Sequence, residues 1–167
     1  MRTQIFKTTF CGLFLTTLLL TSSCHRDADP VINEAQPISC NDVNTETTWA
    51  DRGLPVDYTL DCIVSVNAKL TIEPGVTIFV KSGAGIIIEN TGALVASGSA
   101  AKNIILKSEQ DVAGVWKGIF VKSNDVLNEM NYCRISNGGS ASFDGNSTKL
   151  ANIRVALNAK LKLQNST

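Results

Sequence analysis

Short runs in which apolar and polar residues alternate dominate the chain from Ile63 onward. Val64 and Val66 share a face, as do Leu70 and Ile72, then Val76, Ile78 and Val80, then Ile86 and Ile88. The same spacing returns at Leu94 and Ala96, Ile104 and Leu106, Ile119 and Val121, Cys133 and Ile135, and finally Ile153, Val155 and Leu157. A repeat of two is the signature of a half-buried strand, and no segment sustains the 3.6-residue repeat of a helix. Between the runs stand Pro74-Gly75, Ser82-Gly83, Thr91-Gly92, Ser97-Gly98 and Asn137-Gly138-Gly139, all residues suited to tight turns. Gly75 and Gly92 close successive stretches of about 17 residues, and later stretches run longer. A period near twenty with two or three short strands per unit predicts a solenoid whose units stack on their neighbours. Parallel strands would then lie about 4.8 Å apart, with aliphatic ladders inside the coil. An antiparallel sandwich is the competing architecture, but it favours two-residue hairpins, whereas the turns here recur at coil-like intervals.

The first 23 residues follow a different pattern. Arg2 and Lys7 open the chain, Phe10 to Leu20 is apolar, and Thr21-Ser22-Ser23 precedes Cys24. A basic start, a short apolar core and small residues before a cut describe a secretory signal peptide. The apolar run is roughly a dozen residues, too short for the about twenty that span a bilayer. The cysteine behind small residues resembles the lipobox of bacterial lipoproteins, which implies diacylglycerol on the Cys24 thiol and palmitate-type acylation of the new N-terminus. Thr21 departs from the usual Leu of that motif, and the alternative is an ordinary cleavage near residue 23 with Cys24 left as a thiol. Residues 24–37, polar and carrying Pro30 and Pro37, then read as a lipid-anchored tether. His25, the single histidine, falls beside that anchor rather than in the coil. The expected location is the cell envelope, as an outer-membrane lipoprotein.

Charge and cysteines refine the picture. Lys+Arg and Asp+Glu are 15 each, and losing Arg2 and Lys7 with the leader leaves 13 bases against 15 acids, a balance of −2. A nucleic-acid partner, which calls for a basic surface, is therefore not expected. Aromatics are 6%, so the core must come from Ile, Val, Leu and Ala. Cys11 leaves with the leader, and export places Cys40, Cys62 and Cys133 where disulfides persist. Cys40 and Cys62 bracket an irregular segment, 38–62, read as an N-terminal cap ahead of coils over 63–167; their bridge would be worth roughly 3 kcal/mol. Cys133 alternates with Ile135 and reads as a buried thiol. There is no CxxC pair and no histidine in the coil to complement one, so no metal site and no cofactor are expected.

Leu70-Thr71-Ile72-Glu73-Pro74-Gly75-Val76 resembles a signature of bacterial surface proteins built from right-handed parallel β-helix repeats, the pectin-lyase-like superfold. Thr48-Trp49 with Tyr58 is similar to that family's cap strand, and Gly92-Ala93-Leu94-Val95-Ala96-Ser97-Gly98 to one of its coils. Asn103 to Ser108, Val115 to Ile119 and Met130 to Gly139 follow in the family's order, so the resemblance covers about residues 47 to 165. It implies an all-β, right-handed parallel β-helix, capped at its N-terminal end. Within that fold Glu73 is expected outward and solvated, Trp116 is expected to pack or cap, and Asn67, Asn90, Asn103, Asn124 and Asn158 are expected at bends where asparagine tolerates the left-handed conformation.

The resemblance extends to polysaccharide lyases and hydrolases, so a catalytic centre must be sought. Asp111, Asp125, Glu129 and Asp144 are scattered, without the paired carboxylates that glycoside hydrolysis uses. The leading expectation is a non-catalytic binding or structural module that engages glycans or surface proteins through its flat sheet faces, with the ligand-binding residues unassigned. A partial or degenerate polysaccharide lyase or hydrolase is the second, and a self-associating surface scaffold or adhesin the third. Ala156 to Thr167 shows no capping helix, so a C-terminally truncated coil with an open edge is also expected.

Overall fold

The computed structural model describes residues 34–145 and 149–167. The expected signal peptide, the Cys24 lipidation site and His25 lie outside the described residues. The described residues all fall within the second of the chain's two units, Ile32–Thr167, and everything below concerns that unit.

The second unit is wound from successive turns of short strands. The opening turn holds β1 (Gln36–Pro37), an isolated bridge at Val43, and β2 (Thr47–Trp49). Next come β3 (Tyr58–Leu60), β4 (Ile63–Val66) and β5 (Lys69–Ile72), followed by β6 (Thr77–Val80), β7 (Gly85–Ile88) and β8 (Ala93–Ser97). The later turns are β9 (Ile104–Lys107), β10 (Ile119–Val121) and β11 (Glu129–Asn131), then β12 (Cys133–Ile135), β13 (Ile153–Val155) and β14 (Lys162–Gln164). Three sheets result: sheet A is β1-β3-β6-β9-β12, sheet B is β4-β7-β10-β13, and sheet C is β2-β5-β8-β11-β14. Every ladder among the described residues is parallel, which rules out the antiparallel sandwich for them. The chain visits A, B and C in rotation, so strands of the middle turns, such as β6, β7 and β8, are hydrogen-bonded to the strands one turn before and after them. The result is an all-β parallel β-helix.

Register converts alternation into ladders. In sheet B, Val64, Ile86, Ile119 and Ile153 stand opposite one another in sequence, and in sheet C Leu70 stands opposite Leu94. Val64, Val66, Leu70, Ile78, Ile86, Ile88, Ile104 and Leu106 are fully buried, so the alternating residues are the inward ones. Trp116 is also fully buried, and its indole N–H donates to the Ser136 carbonyl at 2.7 Å. A buried indole N–H without that acceptor would cost about 1–3 kcal/mol, so the long corner bearing Ser136 is matched to the tryptophan.

The expected period needs correcting. One turn takes 20 residues from Tyr58 to Ile78 in sheet A, but 34 from Ile119 to Ile153 in sheet B. The extra length sits in two A-to-B corners, residues 108–118 and 136–152. The 17-residue spacing of Gly75 and Gly92 is not a turn at all, because Gly75 lies between β5 and β6 and Gly92 between β7 and β8. The two glycines also serve different needs. Gly75 adopts φ +98°, which disfavours any side chain. At Gly92 a Cβ would stand 2.0 Å from the Val66 carbonyl oxygen, so here the absence of a side chain lets two turns close on each other.

The opening turn is tied down three ways. Cys40 and Cys62 form a disulfide with Cα atoms 5.8 Å apart across a separation of 22 residues. Trp49 and Tyr58 pack with ring centroids 6.3 Å apart, and the Tyr58 hydroxyl donates to the Ala50 carbonyl at 3.0 Å. Asp57, fully buried, accepts N–H bonds from Arg52 (2.9 Å), Leu54 (3.3 Å) and Thr77 (2.8 Å), joining the 50–56 loop to β6. Burial of a carboxylate is tolerable only with such partners.

Asparagine chemistry differs in detail from expectation. Of the five bend asparagines only Asn158 has positive φ (67°); Asn137 (65°) and Asn165 (49°) share that conformation. Short amide stacks exist, from Asn67 to Asn44 at 3.0 Å and from Asn165 to Asn131 at 2.9 Å. Glu73 is half-buried rather than fully solvated, and its carboxylate accepts the Asp51 N–H at 3.0 Å.

Candidate functional site

The most distinctive surface lies on the outer face of sheet B. With Ile119 and Val121 directed inward, Phe120 between them must point out, and register sets Ser65, Ile87, Phe120 and Arg154 in one row. An outward phenylalanine would normally be wet, yet Phe120 is only 6% exposed. Phe143, carried by the long 136–152 corner, lies over it with centroids 5.8 Å apart and planes 23° from parallel.

Three cations ring the aromatic pair. The Arg154 guanidinium sits 4.5 Å from the Phe120 centroid, Lys122 lies 5.6 Å from the same ring, and Lys117 lies 5.6 Å from Phe143. Each such contact contributes about 0.5–1 kcal/mol at an exposed site. Lys122 is also held by both Glu89 carboxylate oxygens (2.9 and 3.1 Å), and Arg154 by Asp144 and the Ser142 hydroxyl. Hydrogen bonding to Asp144 pushes the Arg154 guanidinium further up, so it is charged at any accessible pH. The arrangement presents the Phe143 ring, with Phe120 covered beneath it, amid three cations and the two carboxylates of Glu89 and Asp144, a formal +1. Alternation alone could have assigned Phe120 outward, but Phe143 belongs to a different element and no spacing rule links the two.

The acids considered as catalytic candidates are separated and engaged. Asp111 accepts from the Asn137 side-chain amide at 3.1 Å, and Asp125 from the Leu127 N–H at 2.8 Å. Glu129, on β11, pairs with Lys162 at 3.5 Å, while Asp144 pairs with Arg154 across the sheet B corner. Among the described residues one trio, Cys40, Asp61 and Cys62, is close enough to share an ion, but the disulfide takes both sulfurs and leaves a single carboxylate. Cys133 is fully buried, and burial pushes its thiol up to about 11, far from a reactive thiolate at neutral pH. A hollow of about 150 Å³ beside Phe79, Val80 and Val115 is below the roughly 300–1,000 Å³ typical of small-molecule sites.

A rotating three-sheet coil with aliphatic ladders inside defines the parallel β-helix class. The family model of the pectate-lyase-like beta helix domain matches residues 43–160, and the chain belongs to that family. No curated protein and no solved structure matches the chain.

Proposed function

We propose that this chain is a non-catalytic lipoprotein of the bacterial cell envelope whose β-helix serves as a binding or structural module. In this reading residues 1–23 are removed on export, Cys24 takes the lipid, and the tether holds the domain to the outer membrane. The basic start, short apolar run and small residues before Cys24 support the anchor. The observation that carries the non-catalytic reading is that Asp111, Asp125, Glu129 and Asp144 each serve a bond within the fold and lie on different corners or strands. Fold alone does not confer activity. The Phe120–Phe143 face with Lys117, Lys122 and Arg154 is the part suited to a ligand, and its chemistry favours a glycan bearing negative charge.

The test is a panel of neutral and acidic glycans, read for both binding and cleavage, with and without calcium. Retention of acidic glycans that weakens when Phe143 is replaced by Ala, with no new reducing or unsaturated ends, is the expected result. Release of such ends would make the protein a lyase or hydrolase. Intact-mass measurement of membrane-extracted protein checks the anchor, and an unmodified Cys24 would remove it.

A further inference from the structure

We propose that the hollow on the outer face of sheet A is a binding site for a single neutral pyranose ring, such as the end or a branch of a glycan. The proposal goes beyond the charged-glycan reading above, because it names a separate site on another sheet, and either can stand without the other.

The floor of the hollow follows from alternation. Ile78 and Val80 of β6 are buried inward, so Phe79 between them faces out, where it is half-buried. Register places Thr59 one turn before Phe79 and Lys107 one turn after it. The Lys107 ammonium lies 5.6 Å from the Phe79 centroid and steadies the ring from the next turn. Phe79 and Val115 supply apolar surface to a hollow of about 150 Å³. That is too small for an extended ligand, but a closed cavity of about 150 Å³ takes benzene, so the space suits one six-membered ring.

Two A-to-B corners wall the hollow, and both are held by the backbone. The Lys81 N–H donates to the Leu60 carbonyl at 2.8 Å, and the Gly83 N–H to the Val115 carbonyl at 3.3 Å, which ties residues 81–84 to the 108–118 corner. Within that longer corner the buried Ser108 donates its hydroxyl to the Gln110 carbonyl, which also accepts the Val112 N–H at 2.7 Å. The Val115 N–H donates in turn to the Asn137 carbonyl at 2.8 Å, one turn further on. A site whose walls are already ordered gives up little conformational freedom when a ligand enters.

The polar groups around this hollow are unused by the fold. Thr59, Lys81, Ser82, Glu109 and Gln110 line it, and none of their side chains has a hydrogen-bond or ion-pair partner among the described residues. Beside Phe120, by contrast, Lys122 and Arg154 are both paired with carboxylates. The lysine only donates, the glutamate only accepts, and the two hydroxyls and the amide do both. A sugar hydroxyl also does both, so a ring bearing several of them finds a partner at each point of this rim. The Lys81 and Glu109 charges cancel, which favours a neutral ring over an ionised one. Its C–H face would meet Phe79, whose π-system is negative on its face. An aromatic side chain from a protein partner would fill the floor but leave the rim groups without partners.

The experiment uses the full chain in a detergent that carries no sugar, and reads saturation-transfer NMR. The probes are methyl glycosides of neutral hexoses, the methyl glycoside of glucuronic acid, and p-cresol as a stand-in for an aromatic side chain. Transfer to a neutral glycoside, strongest at the C–H protons on one face of its ring, is the expected result. Phe79→Ala should remove that transfer. Lys81→Ala combined with Gln110→Ala should remove it too while leaving the floor intact, and this rim variant decides the matter if Phe79→Ala fails to fold. Phe143→Ala should leave it unchanged, because that ring belongs to sheet B, and failure of acidic glycans to bind there would not alter this result. No transfer to any neutral glycoside, or transfer that survives the rim variant, would overturn the proposal. Transfer to the glucuronide alone, transfer lost in Phe143→Ala, or binding of p-cresol with no glycoside bound would each overturn it as well.

Discussion

The turn holding β6, β7 and β8 and the turn holding β12, β13 and β14 are written with the same alternating pattern but do not reach the same state. Ile78, Ile86 and Leu94 are 0–1% exposed, whereas in the later turn Cys133 and Ile135 of β12 stay covered but Val155 is 44% exposed and every residue of β14 is exposed. An inward direction in a solenoid therefore does not guarantee burial. A strand's alternation sets which side chains face the coil axis, and the turns stacked above and below set how much water they lose. Each unit is stabilised by its neighbours as much as by itself.

The sharpest way to break this comparison is to remove equivalent side chains from both turns. Ile88→Ala, in register with Val155 through Val121, should cost about 2–5 kcal/mol, because the fully buried site keeps a cavity after truncation. Val155→Ala should change stability by no more than about 0.5 kcal/mol, as at other exposed positions. Denaturant titration of both variants reads the difference, and equal losses would mean the last turn is packed after all. Opening the Cys40–Cys62 bridge by double serine substitution should cost about 3 kcal/mol on the chain-entropy model, measured the same way against wild type.

Glycine positions sharpen the contrast at smaller scale. Gly92→Ala should destabilise by about 1–3 kcal/mol, since its Cβ would meet the Val66 carbonyl oxygen and two turns must move apart. Gly83→Ala, where nothing lies within 4 Å but φ is +77°, should cost only the backbone strain of about 1–2 kcal/mol. A melting-temperature drop that is no larger for Gly92 would locate the constraint in backbone angle rather than in turn spacing.

A further test is a pH slope. Burial raises the Cys133 thiol from 9.0 to about 11, so the folded state holds its proton after the unfolded chain has lost it. Stability should therefore fall as pH rises from about 9 towards 11, and Cys133→Ala should flatten that decline. Melting temperatures across this range check it, and an identical slope in the alanine variant would assign the decline elsewhere.

Much of this was legible in the chain. The inward residues from Val64 to Ile135 followed from a repeat of two, and the turn chemistry marked most corners. Corner identity was not legible, because Gly75 and Gly92 look alike in sequence while occupying different corners of the coil. The buried polar residues Asp57 and Asn128 were missed for a related reason. Asn128 donates to the nearby Ser123 carbonyl at 3.3 Å and accepts the Leu94 N–H at 2.8 Å, a partner 34 residues away that only the winding brings close. The aromatic face was half legible, since alternation turns Phe120 outward but only the long 136–152 corner delivers Phe143 to cover it.

Amide hydrogen exchange, followed strand by strand, tests the central claim most directly. The stacked-turn account predicts the slowest exchange in β6 to β8, where each strand has partners on both sides, and the fastest in β13 and β14, where each has one among the described residues. Equal protection from β4 through β14 would contradict it, because burial would then be a property of each strand and not of its neighbours.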